Sequence, residues 1–264
     1  MTLSNSGNSL GARVSAAGLD WIVPDWPAPA QVYALSTTRN AHAGEKFDLT
    51  PGDSQFETAR RELRRWIPAE PIWLAQVHGI AICDADSASA SGRSALREGD
   101  GAVARAPNIV CAVHSADCLP ALLTDFQGSV VAAAHAGWRG LAAGVLEAAI
   151  AAMRIPPANI LAWLGPAIGP QVFEVGADVF AAHCDNDAGA ARCFVPHRQG
   201  KWLADLGALA RRRLTRAGVA SIHGGGRCTF SEPDAFYSYR RDGARAGRMA
   251  TLIWIASLEA PQAG

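Results

Sequence analysis

The chain has 264 residues, of which 49% are hydrophobic and 18% charged, a balance that is typical of a globular protein and excludes a disordered one. Lysine and arginine together number 24, as do aspartate and glutamate, so the formal net charge is zero and no overall field would attract nucleic acid or an anionic membrane. This length allows a sizeable core, and a small ligand of little or no charge suits the protein better than a polyanion.

The first 20 residues are rich in Ser, Gly, Ala and Asn, and they predict a loose N-terminal tail before a single domain over residues 21–264. They lack a basic start followed by an apolar core, so we expect no secretory signal. No run approaches the roughly 18 to 20 apolar residues of a membrane span. We therefore expect a cytoplasmic protein without a membrane partner. Its six cysteines include no Cys-x-x-Cys, which predicts mostly free, buried thiols.

Apolar runs and helical patterns alternate along the first third of the chain. Residues 32–37 predict a strand, and residues 56–66 predict a helix with its arginines in solvent. Residues 72–77 predict a strand that ends at His78. Residues 87–94 are low in complexity and predict a surface loop.

The central segment predicts an apolar hairpin formed by residues 109–113 and 130–134, because turn-forming residues lie between the two runs. Cys118 follows the first run and His135 ends the second. Strands joined in this way bring their far ends together. The hairpin should therefore place a thiol and an imidazole on one rim.

The second half of the chain continues the mixed pattern. Helices are predicted over residues 141–154, 179–183 and 203–217, and strands over residues 160–164 and 249–255. Strands mixed with helices throughout, without a biased linker, indicate one α+β (mixed α/β) domain.

His78, Cys118 and His135 each lie at or just past the end of an apolar run, where rigid scaffolds commonly carry functional side chains. Two imidazoles and a thiolate favour zinc, and three protein ligands leave a fourth position for water. Spacing alone leaves other interpretations open. Cys118 could be a small buried hydrophobe, each histidine could be structural, and Cys118 with His135 could form a nucleophile and its base.

Several polar side chains near these strand ends are candidate substrate contacts. Arg139 follows His135 closely, and its guanidinium could hold a phosphate or carboxylate as a fork, although a structural arginine beside Trp138 is an equally simple explanation. The other candidates are Arg39, Glu174, Ser238, Arg240 and Arg241, with His42 in a polar loop and His114 as a support for the site.

Seven short motifs then occur together, in one order, between residues 32 and 255. They are Gln76-Val77-His78-Gly79, Ala116-Asp117-Cys118-Leu119-Pro120, residues 134–140 (Ala-His-Ala-Gly-Trp-Arg-Gly), residues 164–170 (Leu-Gly-Pro-Ala-Ile-Gly-Pro), Phe173-Glu174-Val175-Gly176, Cys228-Thr229 and residues 236–241 (Phe-Tyr-Ser-Tyr-Arg-Arg). This set resembles the bacterial laccase-domain, or multicopper polyphenol oxidoreductase, family. Members of that family have been reassigned as zinc-dependent purine nucleoside phosphorylases and adenosine deaminases.

The resemblance implies a single-domain α/β/β/α sandwich of the toxin-deamidase-like type. It implies that His78, Cys118 and His135 are both the zinc ligands and the catalytic residues. The implied substrates are phosphate and the nucleosides adenosine, inosine, guanosine and 5′-methylthioadenosine. We expect a monomer or a weak homo-oligomer that binds no nucleic acid.

Some family members are described differently, as laccases or as editing factors for peptidoglycan precursors. A copper polyphenol oxidase and a metal-free Cys118/His135 hydrolase are therefore the alternatives. Copper is the less expected metal, because seven histidines without a His-x-His pair suit a multicopper site poorly.

The sequence departs from the family pattern after Thr37-Thr38-Arg39. A paired-glycine loop and an Asn-Leu-Gly turn are usual there, whereas residues 40–53 contain neither. This difference affects the ligand contacts expected of Arg39 and His42 and leaves the metal-ligand set intact.

Overall fold

The computed structural model describes residues 6–41, 45–90 and 97–257. Eight α-helices lie in these ranges: α1 Ser6–Ala16, α2 Phe56–Leu63, α3 Ala85–Ala90, α4 Trp138–Ala143, α5 Val145–Met153, α6 Ala177–Cys184, α7 Leu206–Arg216 and α8 Tyr239–Asp242. Short 3-10 helices span Pro157–Asn159, Ala188–Cys193 and Gly243–Arg245.

The same ranges contain fourteen strands: β1 Val32–Ser36, β2 Leu74–Ala75, β3 Ile82–Asp84, β4 Arg97–Glu98, β5 Gly101–Ala104, β6 Cys111–Ser115, β7 Leu119–Asp125, β8 Val131–Ala136, β9 Ile160–Leu164, β10 Glu174–Val175, β11 Phe194–Pro196, β12 Trp202–Ala204, β13 Ser221–Gly224 and β14 Met249–Ile255. The larger sheet has the order β13-β9-β7-β8-β5-β3, and a smaller sheet has the order β1-β14-β6. The remaining strands form a three-stranded sheet, β10-β12-β11, and the pair β2-β4.

The two main sheets pack face to face. Leu122 and Ala133 of the larger sheet share one apolar cluster with Val113 and Ile253 of the smaller sheet. Burying a side chain of leucine size in such a cluster contributes about 1.5–3 kcal/mol.

Helices cover both outer faces of this pair of sheets. Leu146 of α5 and Leu209 of α7 pack on the outer face of the larger sheet. Val14 of α1 and Leu63 of α2 pack on the outer face of the smaller sheet. The predicted α/β/β/α sandwich is therefore confirmed. No helix in the described ranges is long and apolar enough to cross a bilayer.

Strand β8 shows how the sequence specifies these layers. Its alternate residues Ala132 and Ala134 belong to the cluster under the helices, whereas Val131 and Ala133 belong to the cluster between the sheets. Successive side chains of a strand point to opposite faces, so His135 lies on the face of Val131 and Ala133. The histidine is therefore at the end of the space between the two sheets.

Two predictions about the N-terminal third were wrong. Within the predicted loose tail, residues 6–16 form α1, and Leu10 and Val14 are buried against the smaller sheet. Ser- and Gly-rich composition hid the i, i+4 spacing of these two apolar residues. The predicted loop over residues 87–94 begins inside α3, where alanines favour helix, and residues 91–94 lie outside the described ranges.

The central hairpin exists with a different first strand. It pairs β7 with β8, setting Leu119 opposite Ala136, whereas residues 111–113 lie in β6 of the smaller sheet. The predicted helix over residues 141–154 is interrupted at Gly144, whose φ of 106° is left-handed and separates α4 from α5. Strands β9 and β14 have their predicted bounds.

Candidate metal centre

His78, Cys118 and His135 converge from three separate segments. One ligand-type atom from each lies within 4.8 Å of the others, and the Cys118 Sγ is 3.8 Å from the His78 Nε2. A tetrahedral zinc ion with bonds of about 2.0–2.3 Å separates its ligand atoms by roughly 3.5 Å. Both the spacing and the N, N, S chemistry of this trio therefore fit a zinc ion with a fourth position open.

Asp100, fully buried beside β5, holds His78 and His135 in place. Its carboxylate accepts hydrogen bonds from the backbone N–H of His78 at 2.9 Å and of Gly79 at 2.6 Å, and lies 2.9 Å from the His135 Nδ1. A carboxylate only accepts, so the His135 Nδ1 must carry the proton. That tautomer would leave Nε2 free to bind a metal, as it does in carboxylate–histidine–metal sites.

The backbone at His78 is strained in this arrangement. Its φ is 61°, a left-handed conformation that costs a non-glycine residue about 1–3 kcal/mol. The N–H groups of three consecutive residues, Val77 to Gly79, donate to the Asp100 carboxylate and offset that cost.

Asp117 organises the segment that presents Cys118. Also left-handed, with a φ of 89°, it accepts hydrogen bonds from the Thr229 Oγ1 at 2.5 Å, the Ser238 Oγ at 3.0 Å and the Arg240 backbone N–H at 2.6 Å. One buried carboxylate thus fastens two C-terminal segments to the cysteine loop.

Close packing explains the glycines of the Ala-His-Ala-Gly-Trp-Arg-Gly motif. A Cβ at Gly137 would lie 2.9 Å from both the Cys118 Sγ and the His78 Cδ2. A Cβ at Gly140 would lie 2.8 Å from the Gly79 carbonyl oxygen. Any side chain at either position would displace Cys118 and His78 or the loop that carries His78.

Half-buried Cys118 and buried His135 form an ion pair in the metal-free protein. Burial opposes ionisation of the thiol, but the neighbouring charge of His135 and hydrogen bonds from both histidines outweigh it and lower the pKa of Cys118 to about 6. Burial likewise opposes the imidazolium, but Cys118 and Asp100 raise the pKa of His135 to about 9. At neutral pH the sulfur is a thiolate, the form that binds metals and acts as a nucleophile.

A cleft of about 660 Å³, within the range of small-molecule sites, opens beside the three ligands. Three arginines are among the described residues that line it: Arg139, Arg240 and Arg248. The Arg139 guanidinium stacks 4.3 Å from the Trp138 ring centroid, and that of Arg240 lies 5.5 Å from the Phe173 centroid.

None of these three guanidinium groups forms an ion pair with a carboxylate of the described residues. By contrast, Arg198, Arg212 and Arg227 elsewhere in the chain are each paired with an acid. Asp117 is the only acidic residue among the described lining residues, and its carboxylate is already hydrogen-bonded. The cleft is therefore electropositive and suited to an anion.

Among the predicted substrate contacts, Arg139 and Arg240 line this cleft, and four others have their polar groups engaged elsewhere. Arg39 donates to the Pro233 carbonyl at 2.6 Å, and Glu174 pairs with Arg198 at 2.6 Å. Ser238 donates to Asp117 and caps α8, while Arg241 donates to the carbonyls of Thr229, Phe230 and Phe236. These four do not line the described cleft, so their contact with substrate stays a prediction. His42 lies outside the described residues.

Sequence reasoning missed Asp100, Asp117 and Arg248. The available signals were weak: an aspartate directly before a strand, an aspartate inside the cysteine motif, and an arginine directly before the last strand. None of these positions reveals which distant groups the side chain meets.

Comparison with known proteins places the chain in a family. Residues 47–256 match the family described as multi-copper polyphenol oxidoreductase laccase. The chain belongs to this laccase-like family. The family resemblance predicted from the sequence motifs is therefore confirmed.

Proteins similar in sequence or structure match about nine tenths of the chain. Purine nucleoside phosphorylase PA4543 from Pseudomonas aeruginosa is 45% identical over 244 residues, which cover 89% of this chain and 98% of that protein. Purine nucleoside phosphorylase YfiH from Escherichia coli K12 is 45% identical over 249 residues, with the same coverage of each. The crystal structure of protein NMB0706 from Neisseria meningitidis has a TM-score of 0.84 and 43% identity, covering 90% of this chain and 100% of that one.

Proposed function

We propose that this protein is a zinc-dependent purine nucleoside phosphorylase that also deaminates adenosine. The observation that carries the proposal is a trio of zinc-type ligands beside a cleft whose arginines have no carboxylate partners among the described residues. The names of the relatives PA4543 and YfiH support it. Adenosine, inosine, guanosine and 5′-methylthioadenosine are the proposed nucleosides, and the cytoplasm, where free cysteines persist, is the proposed location.

His78, Cys118 and His135 would hold the zinc ion. When bound, zinc acts as a Lewis acid and lowers the pKa of a coordinated water toward about 7. A multicopper assembly has less support, because the described residues contain only one group of three or more ligand-type side chains placed to share a metal.

In phosphorolysis, a phosphate oxygen forms a bond to the ribose C1′ while the bond from C1′ to the purine N9 breaks. The purine leaves with the electron pair and takes up a proton, giving the free base and ribose 1-phosphate. The chain's part in this reaction is to bind and orient the phosphate dianion with guanidinium groups, for which the sequence offers Arg39, Arg139 and Arg241 as candidates. In deamination, a water oxygen replaces the amino group at the purine C6 and ammonia leaves.

The direct test uses protein that is stripped with chelator, reloaded with zinc, and incubated with adenosine and phosphate. Chromatography then follows hypoxanthine, adenine and ribose 1-phosphate. We expect turnover by the zinc-loaded protein and a loss of at least about 100-fold in Cys118→Ala, since a ligand and its charge are removed. Cys83→Ala, which removes a half-buried thiol on β3, is the matched control and should retain activity. No turnover by zinc-loaded protein would overturn the proposal, as would full activity in Cys118→Ala.

A metal-free hydrolase is the second candidate, because the Cys118 thiolate and the His135 imidazolium form a nucleophile–base pair without any metal. Alkylation of Cys118 by iodoacetamide distinguishes the two functions. An alkylation rate that chelator leaves unchanged, together with hydrolase activity in the presence of chelator, would favour the hydrolase. Strong protection of the thiol by added zinc would favour the metalloenzyme.

A further inference from the structure

The lining of the cleft divides into two groups with different chemistry. Trp138, Phe173 and Tyr239, with Ile168, form an apolar and aromatic group contributed by helices and loops beyond the larger sheet. A second, polar group surrounds the ends of β6 and β14 in the smaller sheet and contains His114 and Arg248. A purine ring stacks on aromatic side chains, whereas a phosphate requires hydrogen-bond donors and positive charge.

Sheet register places His114 and Arg248 side by side. His114 in β6 pairs with Ala250 in β14, and Arg248 precedes Ala250 by two residues. Residues two apart on a strand share a face, and such diagonal neighbours lie within reach of a long side chain. The two side chains therefore lie together on the face of the smaller sheet that α1 and α2 cover, where that face opens into the cleft.

His114 is rigid and has an unused ring nitrogen. Only 6% of the residue is exposed, and its ring stacks on Trp73 with centroids 4.5 Å apart and planes at 8°. The Gln76 side chain fixes the backbone, accepting from the His114 N–H at 2.7 Å and donating to its carbonyl at 2.9 Å. The Nε2 atom is buried and has no hydrogen-bond partner among the described residues.

A buried polar atom without a partner is uncommon in folded proteins and indicates a missing ligand or water. Burial lowers the pKa of His114 to about 3, so the ring is neutral at physiological pH and carries one N–H donor. A neutral imidazole can donate that hydrogen to an oxyanion without changing its own charge.

Arg248 has donor capacity to spare. Its Nη1 donates to the carbonyls of Ala246 at 2.7 Å and Gly247 at 3.1 Å, which fixes the guanidinium plane. Among the described residues, neither Nε nor Nη2 has a hydrogen-bond partner, and no carboxylate forms an ion pair with the group. Nε and Nη2 together present the two-pronged geometry that binds phosphate.

We propose that His114 and Arg248 form the phosphate-binding subsite of this cleft, leaving the aromatic group to receive the purine. The proposal rests on the proposed phosphorylase activity and specifies where its second substrate binds. Arg248 supplies charge and two parallel donors, and His114 supplies a third donor from a fixed ring. Arg139, stacked on Trp138 at the other part of the cleft, would then contact the nucleoside.

Steady-state kinetics of the zinc-loaded protein separate the two subsites. With inosine saturating and phosphate varied, Arg248→Gln is expected to raise the phosphate KM at least about 10-fold, whereas the inosine KM at high phosphate should change less than about two-fold. His114→Phe, which preserves the stack on Trp73 and removes the ring nitrogens, is expected to raise the phosphate KM several-fold. Thermal unfolding checks that both variants fold.

Two further variants serve as comparisons. Arg245→Gln removes an exposed arginine three residues from Arg248 and should leave both KM values unchanged. Arg139→Gln tests the competing location. If it raises the phosphate KM while Arg248→Gln does not, the assignment to His114 and Arg248 is overturned.

Calorimetric titration of inorganic phosphate into the zinc-loaded protein, without nucleoside, separates this inference from the proposed function. Phosphate binding that Arg248→Gln removes, in a protein that shows no turnover, would sink the phosphorylase proposal and retain the anion subsite. Turnover with an unchanged phosphate KM in Arg248→Gln would retain the phosphorylase and overturn the subsite. The expected result is that Arg248→Gln raises the phosphate KM and abolishes the heat of phosphate binding, whereas Arg245→Gln changes neither.

Discussion

Replacing Asp100 with asparagine tests how the protein holds His78 and His135, two of the three proposed metal ligands. The carboxylate is fully buried, and each oxygen receives two hydrogen bonds: Oδ1 from the His78 N–H and the His135 ring, and Oδ2 from the backbone of Val77 and Gly79. An amide keeps one acceptor oxygen and presents an NH₂ group to the other two donors. Two hydrogen bonds to a charged group are lost whichever way the amide lies.

The size of the effect follows from those two bonds. Hydrogen bonds to charged groups contribute about 1.5–3 kcal/mol each, so Asp100→Asn should lower the free energy of unfolding by about 3–6 kcal/mol. Loss of the carboxylate behind a ligating histidine typically weakens metal binding by about 10- to 100-fold. We expect both losses, because the same oxygens hold the His78 loop and orient His135.

Competition with a chromogenic chelator measures zinc affinity, and denaturant unfolding of the metal-free protein measures stability. Asp125→Asn is the matched control. Asp125 is a buried aspartate at the turn of the β7–β8 hairpin, away from His135, and its carboxylate accepts from the Ser129 N–H at 2.7 Å, the Ser129 hydroxyl at 2.8 Å and the Val130 N–H at 3.2 Å. The control should lose stability and keep its zinc affinity. Unchanged zinc affinity in Asp100→Asn, or an equal loss of zinc affinity in Asp125→Asn, would show that the Asp100 carboxylate does not position the zinc-binding residues.

Three other predictions concern protons, packing and the N-terminal helix. Zinc binding at pH 7.5 should release about one proton, measured by calorimetry in buffers of different ionisation enthalpy. The proton comes from His135, which is charged below pH 9, because Cys118 is already a thiolate above pH 6. The release should become progressively smaller above pH 9, and no release at pH 7.5 would contradict the ion pair. Gly137→Ala should weaken zinc binding at least about 10-fold, because its Cβ would press on Cys118 and His78. Gly11→Ala, at a helix position with open space around it, should leave zinc binding unchanged and raise the free energy of unfolding by up to about 1 kcal/mol. Equal zinc affinities in the two variants would contradict the packing argument. Leu10→Ala should lower the free energy of unfolding by about 2–4 kcal/mol because Leu10 is buried in the cluster under α1, and a change below about 0.5 kcal/mol would contradict that docking.

Much of the fold could be predicted because long apolar runs specify buried strands whatever their neighbours do. Strands β9 and β14 are such runs, and their bounds were predicted without error. Residues 6–16 were not recognised as a helix, since α1 is stabilised by burial of Leu10 and Val14 rather than by local helix preference. Pairing partners also escape local analysis: β7 and β6 are both apolar, and only the tertiary structure decides which one joins β8.

The residues of the candidate site were likewise predicted only in part. The three metal-type ligands were predicted from strand ends and family motifs, because a cysteine and two histidines at such ends are conspicuous by residue type. Asp100 and Asp117 were missed because their role depends on which distant N–H groups they meet. Ser238 and Arg241 show the converse: membership of a motif does not distinguish a residue that fastens loops together from one that touches a ligand.

The proposed function depends above all on phosphate-dependent formation of ribose 1-phosphate from inosine, measured with protein that carries about one zinc ion per chain. We expect the product only when both zinc and phosphate are present, and we expect Cys118→Ala to abolish it while Cys83→Ala does not. Equal rates with and without zinc would contradict the zinc dependence, and hypoxanthine released without ribose 1-phosphate would contradict phosphorolysis.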